Sequence, residues 1–211
     1  MTTEAPRKFD INTFRGQLDK YGSVAKACRF AVRISPTANT KLNNLLVNLS
    51  EDLMYVCDSA EFPGRGFNVT DIRYYGPSQA FPNNVLYGPA NFSFICRTKS
   101  KERKFFDDWM DLINPINTFN FEYPDEYYSQ IDIFQYAEYG SGQINYQKDA
   151  AGVVTSSGKD AMTSKEVYGW SLHKAWPTLV NAQQVTWNEP DILRLQVTFN
   201  YKYWDRIEIN Q

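Results

Sequence analysis

The single histidine of the chain is the first residue to consider for acid–base chemistry, because imidazole titrates near neutral pH. His173 lies in the segment WSLHKAWPTLV, where large apolar residues alternate on one face and His173 shares the other face with Ser171 and Ala175. Its neighbour Lys174 disfavours a protonated ring. No serine or cysteine in a sharp strand-to-helix turn accompanies it. We therefore interpret His173 as part of a strand surface that faces solvent or a lumen.

A pair of carboxylates is the second candidate. Asp107 and Asp111 stand four residues apart on a predicted helix, where they could hold a divalent cation or act as an acid–base pair. Arg103 precedes Asp107 by one turn, and Lys104 precedes Asp108 by one turn. A solvated, self-paired helix face is the favoured interpretation, and we predict neither a metal site nor a cofactor.

The segment RTKSKERK, residues 97–104, places five basic residues in eight. Such a cluster could contact nucleic acid or an acidic patch on another copy of the chain. It lacks the interleaved aromatic residues of a single-strand-binding surface, and the whole chain has a net charge of -2. A protein contact or simple solvation is the favoured interpretation.

The cysteines and glycines also lack the spacing of reactive sites. Cys28, Cys57 and Cys96 are too few and too scattered for a disulfide framework or a zinc site, so we interpret them as small buried apolar residues. The glycines of PGRG at 63–66 and GSG at 140–142 lack the strand and helix of a phosphate-binding loop. No catalytic constellation remains, and we predict that the chain is not an enzyme.

The elements that hold these residues are mostly strands. Aromatic residues make up 16% of the 211 residues, which favours β-structure. A short amphipathic helix is predicted at 11–22 and a strong one at 101–114, with an aromatic stripe and a proline stop. The chain has no membrane-spanning apolar run and no secretory leader, so a soluble intracellular protein is expected. The predicted strands lie at 28–34, 53–59, 67–75, 91–97, 128–139, 165–176 and 192–204.

This pattern predicts a mainly β protein, a β-sandwich or barrel of about seven strands with one internal α-helix covering an opening. We assign residues 1–26 to an N-terminal extension and residues 27–211 to the β-domain. Clusters of turn-forming residues predict a long projecting hairpin at 61–89. We predict that residues 140–164 form a surface loop or loose hairpin.

The last strand has the clearest pattern in the sequence. Between residues 193 and 203, leucine, valine, phenylalanine and tyrosine occupy every second position, which predicts one face in the core. The intervening positions are polar, so the opposite face meets water or a polar partner. These polar residues are Arg194, Gln196, Thr198, Asn200 and Lys202.

The order of these features resembles the tail tube proteins of contractile-tailed bacteriophages, together with baseplate tube-initiator proteins and the secretion-system tube. The likeness covers most of residues 27–204. It is carried by the segments CRFAVRI, CDSAEFPG, ERKFFDDWMDLI, IDIFQYA, KAWPTLV and LRLQVTFNYKYW.

The resemblance implies a structural virion protein, made in the bacterial cytoplasm, that forms stacked hexameric rings. The rings enclose a conduit through which DNA and the tape-measure protein pass, without specific DNA binding. Sheath, baseplate and tail-terminator proteins are the implied partners. Two alternatives stay open: a baseplate tube-initiator ring, and a monomeric β-barrel module that binds a ligand with its aromatic residues.

The resemblance also assigns surfaces to the ring. The polar face of the last strand, residues 194–202, would line the lumen or contact a neighbouring subunit. The hairpin would be an arm that contacts the next ring, and the helix at 101–114 would face the sheath. The arm residues are Pro77, Phe81, Asn83 and Asn84, and the sheath-facing residues are Lys101, Lys104, Asp108 and Asp111.

Overall fold

The computed structural model describes residues 10–20, 26–37, 40–46, 50–136, 145–148, 154–158, 166–187 and 191–207. The chain divides into two compact units. The first comprises Met1–Phe30 and Gln135–Val167, and the second comprises Ala31–Phe134 and Tyr168–Gln211. Within the described ranges, no helix is both long enough and apolar enough to cross a membrane.

Five helices and eleven strands are formed by the described residues. The helices are α1 (Ile11–Lys20), α2 (Lys41–Leu46), α3 (Ser50–Val56), α4 (Lys101–Ile113) and α5 (Pro124–Tyr127). The strands are β1 (Phe30–Pro36), β2 (Cys57–Ala60), β3 (Gly66–Ile72), β4 (Gln79–Leu86), β5 (Ala90–Ile95), β6 (Ser129–Tyr136), β7 (Asn145–Lys148), β8 (Val154–Gly158), β9 (Glu166–Val180), β10 (Arg194–Asn200) and β11 (Tyr203–Ile207).

The first unit contains α1 and the hairpin of β7 and β8. Asp10 precedes α1, and its carboxylate accepts a hydrogen bond from the backbone N–H of Asn12 at 3.2 Å, as an N-cap residue does. The predicted N-terminal helix is therefore confirmed. Strands β7 and β8 are antiparallel and pair Asn145 with Gly158, within the predicted loop or loose hairpin at 140–164. The remainder of that predicted segment lies outside the described residues.

The second unit is built on a large sheet. Seven of the described strands form it in the order β1-β6-β9-β10-β5-β2, and β11 also pairs with β9. Strand β10 runs antiparallel to β5, with Arg194 opposite Ile95 and Phe199 opposite Ala90. The predicted mainly β fold is confirmed. Three short helices that were not predicted, α2, α3 and α5, accompany the predicted helix α4.

Helix α4 packs its aromatic stripe on the apolar face of β5 and β10. The ring of Phe106 lies 5.0 Å from that of Phe94, and Trp109 lies 5.8 Å from Phe199 between ring centroids. All four side chains are fully buried, and Trp109 also donates its indole N–H to the backbone oxygen of Tyr127 at 3.0 Å. Burial of one such side chain contributes about 1.5–3 kcal/mol, which anchors the helix to the sheet.

The strand predicted at 53–59 is wrong in its first half. Residues 53–56 belong to α3, and the strand begins only at Cys57. Leu53 is buried in the core, as it would be in either structure. A short apolar run satisfies both periodicities, so the sequence alone does not distinguish a helix from a strand here.

The long strand predicted at 192–204 is two strands, because Tyr201 and Lys202 separate β10 from β11. On the neighbouring strand β9, Lys174 adopts a left-handed backbone with φ 54°. Ala175 is buried although we placed it on the outer face of β9, and Tyr203 is 42% exposed although we placed it in the core.

A buried carboxylate joins β1, β6 and β9. Asp132 accepts a hydrogen bond from the guanidinium of Arg33 at 2.9 Å and one from the Ser171 hydroxyl at 2.8 Å. Both Asp132 and Ser171 are buried, so Ser171 does not share the outer face we assigned to it. A buried carboxylate needs such partners, because an unpaired one loses its hydration without compensation. The network fixes the register of these three strands.

Candidate assembly surfaces

The polar face of β10 is the first candidate surface. Arg194, Gln196, Asn200 and Lys202 are exposed and Thr198 is half-buried. The intervening residues are the fully buried Leu195, Val197 and Phe199. The predicted two-faced strand is thus confirmed from Arg194 to Asn200, with one face against α4 and the other open.

Hydrogen bonds connect this polar face across three strands. The Arg194 guanidinium donates to the carboxylate of Asp58 on β2 at 2.8 Å. The Thr198 hydroxyl donates to the side-chain oxygen of Asn91 on β5 at 2.7 Å, and the Asn91 amide donates to Glu61 at 2.7 Å. The ion pair is exposed and adds only about 0–1 kcal/mol, but it neutralises the charge of Arg194.

The beginning of the β9–β10 connection is tied to both β10 and α4. The backbone N–H of Asn181 donates to the backbone oxygen of Gln196 at 2.9 Å, and the two side-chain amides bond at 3.1 Å. Arg103 of α4 donates to the backbone oxygen of Asn181 at 3.0 Å. The polar face is consequently held in a fixed position relative to the helix behind it.

The edge strand β2 is the second candidate surface. Strands β1 and β2 stand at the two ends of the strand order of the main sheet, and an edge strand offers backbone groups to a further strand. Burial, with a smaller contribution from Asp58, raises the pKa of Cys57 to about 12. The thiol is therefore protonated at neutral pH and is not a nucleophile. This edge can bind a strand but has no reactive group at Cys57.

The other cysteines do not form a site either. Cys96 is half-buried, and its sulfur accepts a hydrogen bond from Gln183 at 3.2 Å. Cys28 is exposed, so the interpretation that all three cysteines are buried is wrong for this residue. Among the described residues, no group of three His, Cys, Asp or Glu side chains could hold a metal ion.

His173 lies on the ladder between β9 and β11. Its Nε2 atom is 2.9 Å from a carboxylate oxygen of Asp205, and its ring stacks on Tyr203 with 4.7 Å between centroids. These contacts join the adjacent strands β9 and β11. The interpretation of His173 as a residue of a strand surface is confirmed.

The outer face of α4 is charged. Lys101, Lys104 and Asp111 are exposed and Asp108 is half-buried. Arg103 pairs with Asp107 at 2.9 Å, which is the self-pairing predicted for this helix. The face carries both signs of charge, as a solvated surface or a protein contact does.

Glu102 is a residue whose role the sequence analysis missed. It is fully buried at the beginning of α4, where its carboxylate accepts hydrogen bonds from the side chain and backbone of Arg97. Burial alone would raise the pKa of Glu102, but hydrogen bonds from its own backbone and from Arg97 outweigh it and lower the pKa. Its position in the first helical turn, where acidic residues are favoured, was the available signal.

The hairpin of β3 and β4 is the third candidate surface, and every residue of both strands is exposed. The predicted projecting hairpin is confirmed. Its turn is formed by residues 73–78, so Pro77 lies in the turn, whereas Phe81, Asn83 and Asn84 lie on β4. Large apolar side chains are exposed along both strands, namely Phe67, Val69, Ile72, Phe81, Val85 and Leu86.

The base of this hairpin is anchored to the main sheet. Phe62 stacks on Trp170 of β9 with 4.2 Å between ring centroids. Trp204 of β11 donates its indole N–H to the backbone oxygen of Gly64 at 3.1 Å. The hairpin therefore leaves the sheet at a defined point, while the apolar side chains along its strands remain available to another molecule.

A comparison with known protein families gives independent evidence about the chain. The sequence model of the family described as phage tail tube protein matches residues 25–207 of the chain. No curated protein matches the chain. The matched region includes the polar face of β10, the hairpin and α4.

Solved structures with a similar fold include chains of an anti-feeding prophage and of an extracellular contractile injection system. A chain of the anti-feeding prophage baseplate, solved by cryo-EM with 6-fold symmetrisation, superposes with a TM-score of 0.56 at 12% identity, over 88% of this chain and 96% of that one. A chain of the extended sheath–tube complex of an extracellular contractile injection system gives 0.55 at 13% identity, over 92% and 97%. The anti-feeding prophage cap gives 0.55 at 13% identity, over 88% and 92%. At such identities the likeness shows a shared fold.

Proposed function

We propose that this chain, which belongs to the phage tail tube protein family, is the subunit of a contractile tail tube and assembles into stacked hexameric rings. Proteins of this family are structural, and the chain is not an enzyme. The observation that carries the proposal is the two-faced sheet, in which β5 and β10 bury one face under α4 and leave a charge-balanced polar face open.

In this proposal the polar face of β10 lines the lumen. Arg194 is neutralised by Asp58, and the neighbouring positions present amides and hydroxyls. Affinity for a phosphate backbone depends on many lysine and arginine contacts, so such a wall lets DNA pass without retaining it. The tape-measure protein fills the same conduit before ejection. The lumen residues are Arg194, Gln196, Thr198, Asn200 and Lys202.

The edge strand β2 supports a closed ring. Pairing of one subunit's edge with a strand of its neighbour would satisfy backbone groups that β2 otherwise offers to water. A heterologous contact that closes after a fixed number of copies produces a ring. The 6-fold symmetrisation of the baseplate that contains a similar chain favours six copies.

In this proposal the hairpin and helix α4 contact different neighbours. The hairpin, with Pro77, Phe81, Asn83 and Asn84, is the arm that reaches the next ring. Helix α4 lies on the opposite side of the sheet from the polar face and turns its charged outer residues towards the sheath. Those residues are Lys101, Lys104, Asp108 and Asp111.

Similar chains belong to a sheath–tube complex, a baseplate and a cap. These assemblies support the sheath, the baseplate and a tail-terminator protein as partners of this chain in a virion whose proteins are made in the bacterial cytoplasm. A baseplate tube-initiator ring is the second candidate function, favoured by the fold shared with the baseplate chain.

Negative-stain electron microscopy and light scattering of the purified chain test the proposal. A tube subunit gives rings and long tubes of uniform diameter, whereas an initiator gives single rings that do not grow. A chain that remains a 24.4 kDa monomer at every concentration contradicts both and supports the monomeric binding module.

A further inference from the structure

The loop between α4 and α5, residues 114–123, exposes large apolar side chains. Ile116, Phe119, Phe121 and Tyr123 are 68%, 72%, 77% and 80% exposed. Phe119 also adopts a left-handed backbone with φ 53°, which is unusual for a bulky residue. A single exposed apolar residue is ordinary, but several close together mark a contact site for another molecule. We call residues 114–123 the aromatic loop.

Hydrogen bonds hold the aromatic loop in one conformation. The backbone N–H of Phe119 donates to the backbone oxygen of Pro115 at 2.8 Å, and that of Glu122 donates to the backbone oxygen of Ile113 at 3.0 Å. The Glu122 carboxylate forms an ion pair with Lys41 of α2. A loop that is already ordered loses little conformational freedom on binding. The exposed rings are therefore presented on a fixed support.

The sequence around α4 divides sharply by charge. Residues 97–104 contain five basic residues and one acidic residue, a net charge of +4, whereas residues 105–128 contain six acidic residues and no basic residue, a net charge of -6. Lys99 in the basic part and Asp125 in the acidic part are exposed. Neither of them forms an ion pair within the described part of the chain.

Lys99 does not reach the aromatic loop of its own copy. Helix α4 has 13 residues, so it spans about 20 Å at a rise of 1.5 Å per residue. Lys99 precedes the first turn of the helix, whereas Glu122 is bonded to Ile113, its last residue. This separation is much longer than a lysine side chain. Each copy thus presents a free cation at one end of α4 and an acidic aromatic surface at the other.

We propose that Lys99 of one copy docks on the aromatic loop and Asp125 of a neighbouring copy, an inference that rests on the proposed tube function. The ammonium group packs on the exposed rings of Phe121 and Tyr123, whose faces attract cations, and Asp125 supplies the opposite charge. A second copy is the occupant because every copy carries the charge that this surface lacks.

The contact is head-to-tail, because it joins two different ends of the same surface. Its residues lie before the first residue and after the last residue of α4. The charged outer residues of the helix itself, Lys104, Asp108 and Asp111, are consequently left open to another partner. Opposite charges in such a contact determine its orientation more than its affinity.

Site-directed cross-linking tests the contact in assembled protein. Thr98→Cys and Asn120→Cys replace exposed residues beside the two proposed contact regions and leave Lys99, Phe121 and Tyr123 intact. They are combined in a Cys28→Ser background, because Cys28 is exposed, and treated with a short bismaleimide. We expect a ladder of covalent multimers from the double variant.

Each single cysteine variant is a control and should remain monomeric after the same treatment, because a head-to-tail contact never places two copies of one site together. Dimers from either single variant would show that like ends meet. A double variant that stops at dimers would show a two-fold contact. Either result would overturn the proposal.

Charge exchange provides a second test. Lys99→Asp or Asp125→Lys alone should reduce the fraction of protein in tubes roughly tenfold, since each places like charges together. The double exchange should restore that fraction. Lys104→Asp makes the same charge change at an exposed position within α4, outside the contact, and is the matched control that should assemble normally. Circular dichroism checks that every variant is folded.

The contact and the tube function fail in different ways. If the wild-type chain forms tubes but the double cysteine variant gives no ladder, or the double exchange does not restore assembly, the contact is refuted and the tube function stands. If the wild-type chain stays monomeric at every concentration, the tube function is refuted together with the contact.

Discussion

The basic segment at 97–104 is partly neutralised by its own buried glutamate. Glu102 is fully buried and its carboxylate accepts two hydrogen bonds from Arg97, so one of the five basic residues of this segment is paired at the start of α4. Removing one partner of such a pair leaves the other without its compensation. A single residue therefore joins the end of β5 to the helix that covers the sheet.

Glu102→Gln should lower the free energy of unfolding by about 1–3 kcal/mol at neutral pH, because the amide replaces a charge-assisted hydrogen bond. The folded pKa of Glu102 is lowered, so its stabilisation is fully present above the ordinary glutamate pKa of about 4.3 and is lost as the pH falls through the folded value. Urea unfolding of the wild type and of Glu102→Gln at pH 7 and pH 3 measures how this stabilisation changes with pH.

The gap in stability between wild type and Glu102→Gln should narrow at the lower pH. Asp107→Asn, which breaks the exposed Arg103 pair, is the control and should cost ~0.5 kcal/mol or less. An unchanged gap at both pH values would contradict the role of the Glu102 charge.

At the scale of elements, α4 and the β5–β10 pair stabilise each other through one aromatic cluster. The ring of Phe199 lies within 5.4 Å of Phe92 and 6.1 Å of Phe106 between centroids. The helix carries basic residues early and acidic residues late, against its dipole, so packing must hold it. The polar face of β10 is thus positioned by the core behind it.

Phe199→Ala should lower the free energy of unfolding by about 3–5 kcal/mol, the range for removing a buried phenylalanine and leaving a cavity. Lys202→Ala, at an exposed position near the end of the same strand, should change it by less than ~0.5 kcal/mol. Urea denaturation followed by tryptophan fluorescence compares the two variants. Equal losses would mean that the cluster does not carry the packing described here.

The β3–β4 hairpin leads to a separate prediction about tube formation. Phe81→Ser removes an exposed apolar side chain from β4, so circular dichroism and ring formation should be unchanged while the yield of tubes falls severalfold. The conservative change Thr70→Ser, at the residue paired with Phe81 on β3, is the control. Normal tubes from Phe81→Ser would remove this residue from the proposed arm.

The parts of the fold that the sequence predicts are those with a long, uninterrupted period. Helix α4 appears as predicted, and the predicted alternation holds over Arg194–Asn200, the part of the predicted last strand that forms β10. The prediction fails at residues 53–56, which fit either period, and at Ser171, Ala175 and Tyr203, whose burial does not follow the predicted alternation. Both failures depend on tertiary packing, which a single sequence does not specify.

The sequence predicts some residues of the candidate surfaces and leaves others undetermined. The polar residues of β10 follow from alternation alone, whereas their partners Asp58 and Asn91 lie on other strands and are known only from the register. The position of Gln183 after β9 has no sequence pattern either, because its side chain is held by Cys96 and by the backbone oxygen of Arg194, which are distant in the sequence. Contacts between distant segments are what a single sequence leaves undetermined.

At the scale of the whole molecule, the proposed tube gives each of the three surfaces a different contact. In that proposal the polar face lines the conduit, the edge strand pairs with a neighbour in the ring, and the hairpin reaches the next ring. The polar face and the edge strand belong to one sheet whose core includes α4, and the hairpin is anchored to that sheet. The family assignment and the arrangement of these surfaces therefore support the same proposed assembly.

The neutrality of the polar face leads to a prediction about passage of DNA. Gln196→Lys with Asn200→Lys adds two positive charges per subunit to the exposed face of β10. If this face lines the lumen, the variant tubes should retain DNA that is protected from nuclease, and retention should fall steeply between 50 and 200 mM salt as counterions compete. Wild-type tubes should retain little at either salt concentration.

Asp111→Lys makes the same change of two charges on the outer face of α4 and is the matched control. Any DNA that it binds lies outside the tube and should be digested by nuclease. Protected DNA from the Asp111→Lys tubes, or unprotected DNA from the Gln196 and Asn200 variant, would place the polar face of β10 outside the conduit, because only an enclosed wall shields what it binds.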